Sequence, residues 1–139
     1  MREILFRGKT KWREWIYGDL ITRGIDFDDA IKQHHTREVW DIIPETVGQF
    51  TGLTDKNGKK IFEGDIVELY DKNSNVRWKA VVVFGNPYGE YSWGWNLKYI
   101  SKNPRINTDI LCWVEMEETG AFCETIGNIH DNPELLEVE

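Results

Sequence analysis

Hydrophobic and polar residues alternate along most of this chain in short runs, the signature of half-buried β-strands. The most regular run is 76–84, where Val76, Trp78, Ala80, Val82 and Phe84 share one parity and Val81 and Val83 fill the other near the end. It predicts a strand half-buried at its start and buried on both faces at its end. After a turn-rich connection from Gly85 to Glu90, Tyr91, Trp93, Trp95, Leu97 and Tyr99 share one face, with Ser92, Gly94, Asn96 and Lys98 on the other. This second strand is expected to pair antiparallel with the first.

Weaker alternation marks the other elements. Residues 2–7 read as a first strand, Gly8 to Lys11 as a turn, and 15–22 as a second strand with a glycine at a bend; together they form a hairpin or meander. In 24–38, Asp26 is suited to capping a short helix over Phe27 to Gln33, with Asp28 and Asp29 in its first turn. One or two turns of helix and a loop remain open alternatives there. Residues 38–43 return to strand and Pro44 ends it. Residues 46–50 form a further short strand.

Asp55-Lys56-Asn57-Gly58 is the sharpest turn signal, because Asn-Gly supplies positive φ at a hairpin tip. Lys59 to Glu63 leaves that turn, and Gly64-Asp65 opens a strand over 66–70. Loops follow at 71–75 and 101–109. Residues 110–116 read as a buried strand, with 121–126 beside it and Gly127 at its end. Asn132 followed by Pro133 predicts a closing helical turn. The sum is a mainly β protein: a small antiparallel barrel or sandwich with SH3-like elements and one or two short helical turns.

A chain of 139 residues is read as one domain, long enough to bury a core without metal or disulfide staples. Its net charge of −7 disfavours nucleic acid and anionic membrane, which bind through Lys and Arg. Arg2, Glu3, Arg7 and Lys9 interrupt any apolar run after Met1, so neither a signal peptide nor a membrane span is expected.

Candidate chemistry is sparse. Glu63 and Asp65 share a parity and Glu68 lies on the other, but no histidine or nucleophile accompanies them, so strand-start hydrogen bonding is the favoured reading. His34, His35, His130, Cys112 and Cys123 show no metal-ligand spacing. The two cysteines fit a reduced, structural role. No catalytic, cofactor or metal residue is assigned, and the chain is expected not to be an enzyme. The aromatic stripe Tyr91, Trp93, Trp95 and Tyr99, with Arg77 and Lys79, is the candidate interaction surface: a stacking platform for single-stranded nucleic acid or a peptide. Lys98, Lys102 and Arg105 would extend its basic patch. The competing reading, that the stripe is core, carries more weight because a small barrel needs such a face.

The segment TVGQFTGLTDKNGKKIFEGDIV, residues 46–67, resembles the YopX family of phage and prophage proteins. The opening REILFRG, and the closing Ile126-Gly127-Asn128-Ile129 with Asn132-Pro133-Glu134-Leu135, fit the same resemblance. It implies a small, β-rich phage or prophage accessory protein in the cytoplasm of a bacterial host, without an established activity. It also implies a homo-oligomer, with residues 1 to about 45 as a meander used for self-association. The expected function is a non-enzymatic protein-interaction module, its partner a phage or host protein; the alternative is a nucleic-acid-binding β-barrel module.

Overall fold

The computed structural model describes residues 3–23, 29–73, 76–84, 94–100, 110, 114 and 121–137. Among them are ten strands: β1 (Phe6–Lys9), β2 (Trp15–Ile21), β3 (Ala30–Lys32), β4 (Val39–Asp41), β5 (Gly48–Thr54), β6 (Lys60–Phe62), β7 (Asp65–Asp71), β8 (Val76–Phe84), β9 (Trp95–Tyr99) and β10 (Ala121–Asn128). They form two antiparallel sheets, ordered β4-β3-β2-β1-β5-β6 and β10-β7-β8-β9. Neither sheet closes on itself among the described residues, so the mainly β reading stands with open sheets in place of a barrel. The chain divides into two compact units, Met1–Gly52 and Leu53–Glu139.

In the N-terminal unit, β1 pairs with β2 through Gly8↔Ile16, so Gly8 belongs to a strand and not to the expected turn. The turn comes later, where Thr10 N donates to Glu14 O and Arg13 N donates to Thr10 O. Gly8 is needed where it is, since a Cβ there would lie 2.7 Å from Ile42 Cδ1. Gly18 is a close approach of a harder kind, because its Cβ would clash with the Lys32 carbonyl oxygen across the β2–β3 pair. Ile16, Ile31 and Ile42 form the buried centre, flanked by Phe6, Leu20, Trp40 and Val47. The short helix considered over Phe27 to Gln33 gives way to strand at Ala30–Lys32, paired on both sides by β2 and β4. Asp26, Phe27 and Asp28 lie outside the described residues. Strand pairing wins because Ala30 and Ile31 are both fully buried, and a helix would spread that burial over one stripe.

In the C-terminal unit, β7 is the centre. Ile66, Val67 and Leu69 are fully buried, and β7 pairs with β8 and β10 along its length. Gly64 adopts φ +89°, a conformation few side-chain-bearing residues reach cheaply. That backbone lets Gly64 N donate to Val82 O and Gly64 O accept from Ile129 N, tying both flanking segments just before β7 starts. Asp65 then closes the turn, its Oδ2 accepting from Phe62 N at 2.7 Å.

β8 and β9 pair antiparallel as expected, from Ala80↔Tyr99 to Phe84↔Trp95. The end of β8, however, is not buried on both faces. Val83 is only half-buried, and Phe84 is exposed, set edge-on to Trp95 at 5.0 Å. Ile110 and Val114 also depart from the strand expected over 110–116. Ile110 and Val114 have helical backbone, four residues apart, and both pack on the core; the intervening residues lie outside the described set. An apolar run of this length does not by itself separate strand from buried helix. β10 continues past Gly127 to Asn128 through a register shift after Thr125. Asn132 does precede a single 3-10 turn, Pro133–Leu136.

Candidate interaction surface

Three short elements of the N-terminal unit build a groove. The β1–β2 turn supplies Lys11 and Trp12. β4 and the residues after it supply Val39, Trp40 and Ile43. The cavity volume is about 410 Å³, enough to seat several side chains. Its apolar wall is open to solvent: Trp12 is 65% exposed, Val39 46% and Ile43 37%. Clustered exposed apolar side chains of this kind mark contact surfaces.

The groove runs along a sheet edge that is tied at one end, where Ile43 N donates to Lys9 O, and that no strand covers at Val39 and Asp41 among the described residues. β4 is the last strand of its sheet. Gln33 N donates to Glu38 O and Ile42 N donates to Asp29 O, so the even-numbered residues turn their backbone groups toward β3. The alternate residues, Val39 and Asp41, therefore point theirs away from it. Proline follows three residues after Asp41, and the strand is short; both are devices that blunt an edge. Charge on the groove lining is limited to Lys11 and Asp41. Asp41 is engaged by Arg23 at 2.6 Å. Lys11 Nζ lies 4.6 Å from the centre of the Trp12 ring and has no ion pair among the described residues.

The aromatic strand singled out from the sequence sits differently. Tyr99 is a buried core residue beside Leu97, and Trp95 is half-buried against the same core. Tyr91 and Trp93 lie outside the described residues, as do Lys102 and Arg105. Arg77 and Lys79 are on β8, on the face opposite Trp78 and Ala80. There the registers Phe122↔Tyr70↔Arg77 and Glu124↔Glu68↔Lys79 stack two rows of side chains across three strands. Arg77 lies over the Tyr70 ring at 4.3 Å and pairs with Glu68. Lys56, from the hairpin turn, pairs with Glu124 at 3.3 Å. On this face Arg77 and Lys56 are thus each matched by a carboxylate and each set over an aromatic ring.

The other titratable residues make local contacts. Asp55 is buried; its Oδ1 accepts from Asn57 N and Lys59 N, and its Oδ2 accepts from Thr125 N on β10. Lys56 N donates to Cys123 O. The Asp55–Gly58 turn therefore caps the outer edge of β10, a role for which the sequence held the turn signal but no sign of the destination. His34 bonds Asp19 at 2.8 Å, whereas His130 donates its backbone N–H to Asn128 Oδ1. Cys123 is buried, and loss of hydration, then the charges of Asp55 and Asp65, push its thiol up to about 12. Cys112 lies outside the described residues. Among those described, no three His, Cys, Asp or Glu side chains converge as a metal site would require. No helix among them is long and apolar enough to cross a membrane.

The sequence profile described as YopX protein matches residues 5–137. The chain belongs to the YopX family. A search of the curated proteins finds no match. Among solved structures, protein EF1440 from Enterococcus faecalis is similar over 99% of this chain and 100% of that one, with 24% identity and a TM-score of 0.55. That likeness supports the fold. The most recognisable YopX segments now have a physical account, since Asp55, Gly64, Asp65 and the Asn128 to Asn132 turn all hold backbone around β7 and β10. Asn128 Oδ1 accepts from His130 N and Asp131 N, while Asn128 N donates to Asn132 Oδ1.

Proposed function

We propose that this member of the YopX family is a non-enzymatic interaction module, a phage or prophage accessory protein that works in the bacterial cytoplasm through protein contacts. The observation that carries the reading is the groove in which exposed Trp12, Val39 and Ile43 lie beside the open edge of β4. Main-chain groups at a sheet edge recruit another polypeptide, and adjacent apolar pockets select it. A surface of this type also serves the self-association expected of the N-terminal meander. Nucleic acid is the weaker reading. The chain carries −7 net charge, and two of the cations on the β7–β8–β10 face, Arg77 and Lys56, are paired with carboxylates.

The test compares wild type with the double variant Trp12→Ala, Val39→Asp. Both positions are exposed, so far-UV circular dichroism should match. Wild type is expected to self-associate in sedimentation velocity at micromolar concentration, or to retain a polypeptide from nuclease-treated host lysate that the double variant does not. A wild type that stays monomeric and retains only what the double variant also retains overturns the reading. Salt-dependent binding of wild type to single-stranded DNA or RNA would replace it.

A further inference from the structure

Resting on that reading, we propose the chemistry of the occupant: an extended segment of another protein, alternating acidic and apolar residues, that adds to β4 as a new antiparallel strand. Three observations lead there. Val39 and Asp41 each direct one N–H and one C=O to the open edge, as follows from the β3–β4 hydrogen bonds. A ligand that pairs with them must itself be extended. Next, an added strand turns alternate side chains to one face. Trp12 and Ile43 line the groove beside that edge, so the ligand residues that turn into the groove are apolar. Finally, the lining holds two charges, and only one is available. Asp41 is neutralised by Arg23, whereas Lys11 is held over the Trp12 ring at 4.6 Å with no anion among the described residues. A carboxylate on the incoming strand completes Lys11, as it would complete Arg13 or Arg37 on the flanking turns, both exposed and both without an acidic partner among the described residues.

A second copy of this chain fits the edge less well. A two-fold pairing of β4 with itself centred on Trp40 brings up only Asp41 as a carboxylate within the strand, and Arg23 already engages it, so the copy's β4 offers Lys11 no free anion. A basic ligand would be drawn instead to the exposed acids Glu38 and Glu45 near the groove, but it would leave Lys11 unpaired and set like charges together.

The probes are fluorescein-labelled octapeptides read by anisotropy: four Asp-Val repeats, four Lys-Val repeats, and the Asp-Val peptide with main-chain N-methylation at alternate residues. The acidic peptide is expected to bind with Kd in the range of about 10–100 μM, typical of a short, weak interface, and at least about tenfold tighter than the Lys-Val peptide. N-methylation should abolish binding, because it removes the edge hydrogen bonds. Lys11→Glu should weaken the acidic peptide about tenfold, and Trp12→Ala should lose it, with circular dichroism unchanged for both. No saturable binding of the acidic peptide up to about 1 mM overturns the proposal. Equal binding of the N-methylated peptide, or no effect of either substitution, overturns it too. If the peptide does not bind but Trp12→Ala dissociates an oligomer, the occupant is a second copy. That outcome refutes this proposal and leaves the interaction-module reading standing.

Discussion

Asp55 is the residue whose loss should tell most about how this fold is held. Its carboxylate accepts three backbone N–H groups, from Asn57 at 2.9 Å, Lys59 at 3.0 Å and Thr125 at 2.9 Å. Two of these build the hairpin turn, and the third fastens that turn to the edge of β10. Hydrogen bonds to a charged group contribute about 1.5–3 kcal/mol each, but water can replace the carboxylate at the exposed turn amides. Thr125 N–H, half-buried on β10, is less easily rehydrated. Asp55→Ala should therefore cost about 2–4 kcal/mol, well short of three full bonds. Asp55→Asn keeps one acceptor oxygen for Asn57 and Lys59 but sets an amide N–H against Thr125 N–H, so about half that loss is expected. Urea unfolding followed by tryptophan fluorescence measures both. With a slope of about 2 kcal/mol/M, Asp55→Ala lowers the midpoint by about 1–2 M. Amide exchange at Thr125 should speed up in both variants. Removing the Asp55 charge should also let Cys123 ionise at lower pH, since that charge is one cause of its raised value. An Asp55→Ala protein within about 0.5 kcal/mol of wild type, with Thr125 still protected, would refute the reasoning.

Two further outcomes follow from the structure. The Cys123 thiol is raised from 9.0 to about 12 in the fold, so between those values the folded state holds a proton the unfolded chain has lost. Stability from this group is intact below pH 9 and falls as pH rises toward 12, by up to about 1.4 kcal/mol per pH unit. The wild-type-minus-Cys123→Ala difference in urea midpoint should show that slope, and peptide mapping after iodoacetamide at about pH 8.5, near the ordinary thiol value, should find Cys123 unmodified in the native protein; rapid native modification would count against its burial. Gly18→Ala should disrupt β2–β3 pairing by about 3 kcal/mol or more, because the clash is with Lys32 backbone and not with a side chain that can move; unchanged exchange at β2 and β3 amides would show that the strands can part without cost.

How much of the fold is legible in the sequence depends on the range of the interaction that decides each element. Alternation along 76–84 and 95–99 announces β8 and β9, because period-two burial is written locally. Asn57-Gly58 and Gly64-Asp65 announce turns for the same reason: their backbone preferences belong to the residues themselves. The family is legible too, from residues that prove to be turn and strand-start chemistry. Ala30–Lys32 is not, since two buried residues in a charged stretch satisfy helix and strand alike until β2 and β4 are placed beside them. The strand expected through Ile110 and Val114 fails for a related reason, as a short apolar run carries no period of its own.

The surface is the least legible part. Trp12, Val39 and Ile43 look like core residues in the sequence, and Tyr99 and Trp95 look as available as they do. Hydrophobicity alone ranks all five together. Their fates follow from strand order, which buries Tyr99 under the β7–β8–β9 sheet and leaves β4 at an edge. The strand-rich class, the turns and the family are properties of the chain read linearly, because each rests on local preference. Which apolar residues face a core and which face a partner is settled in three dimensions, because it depends on which strand has no neighbour.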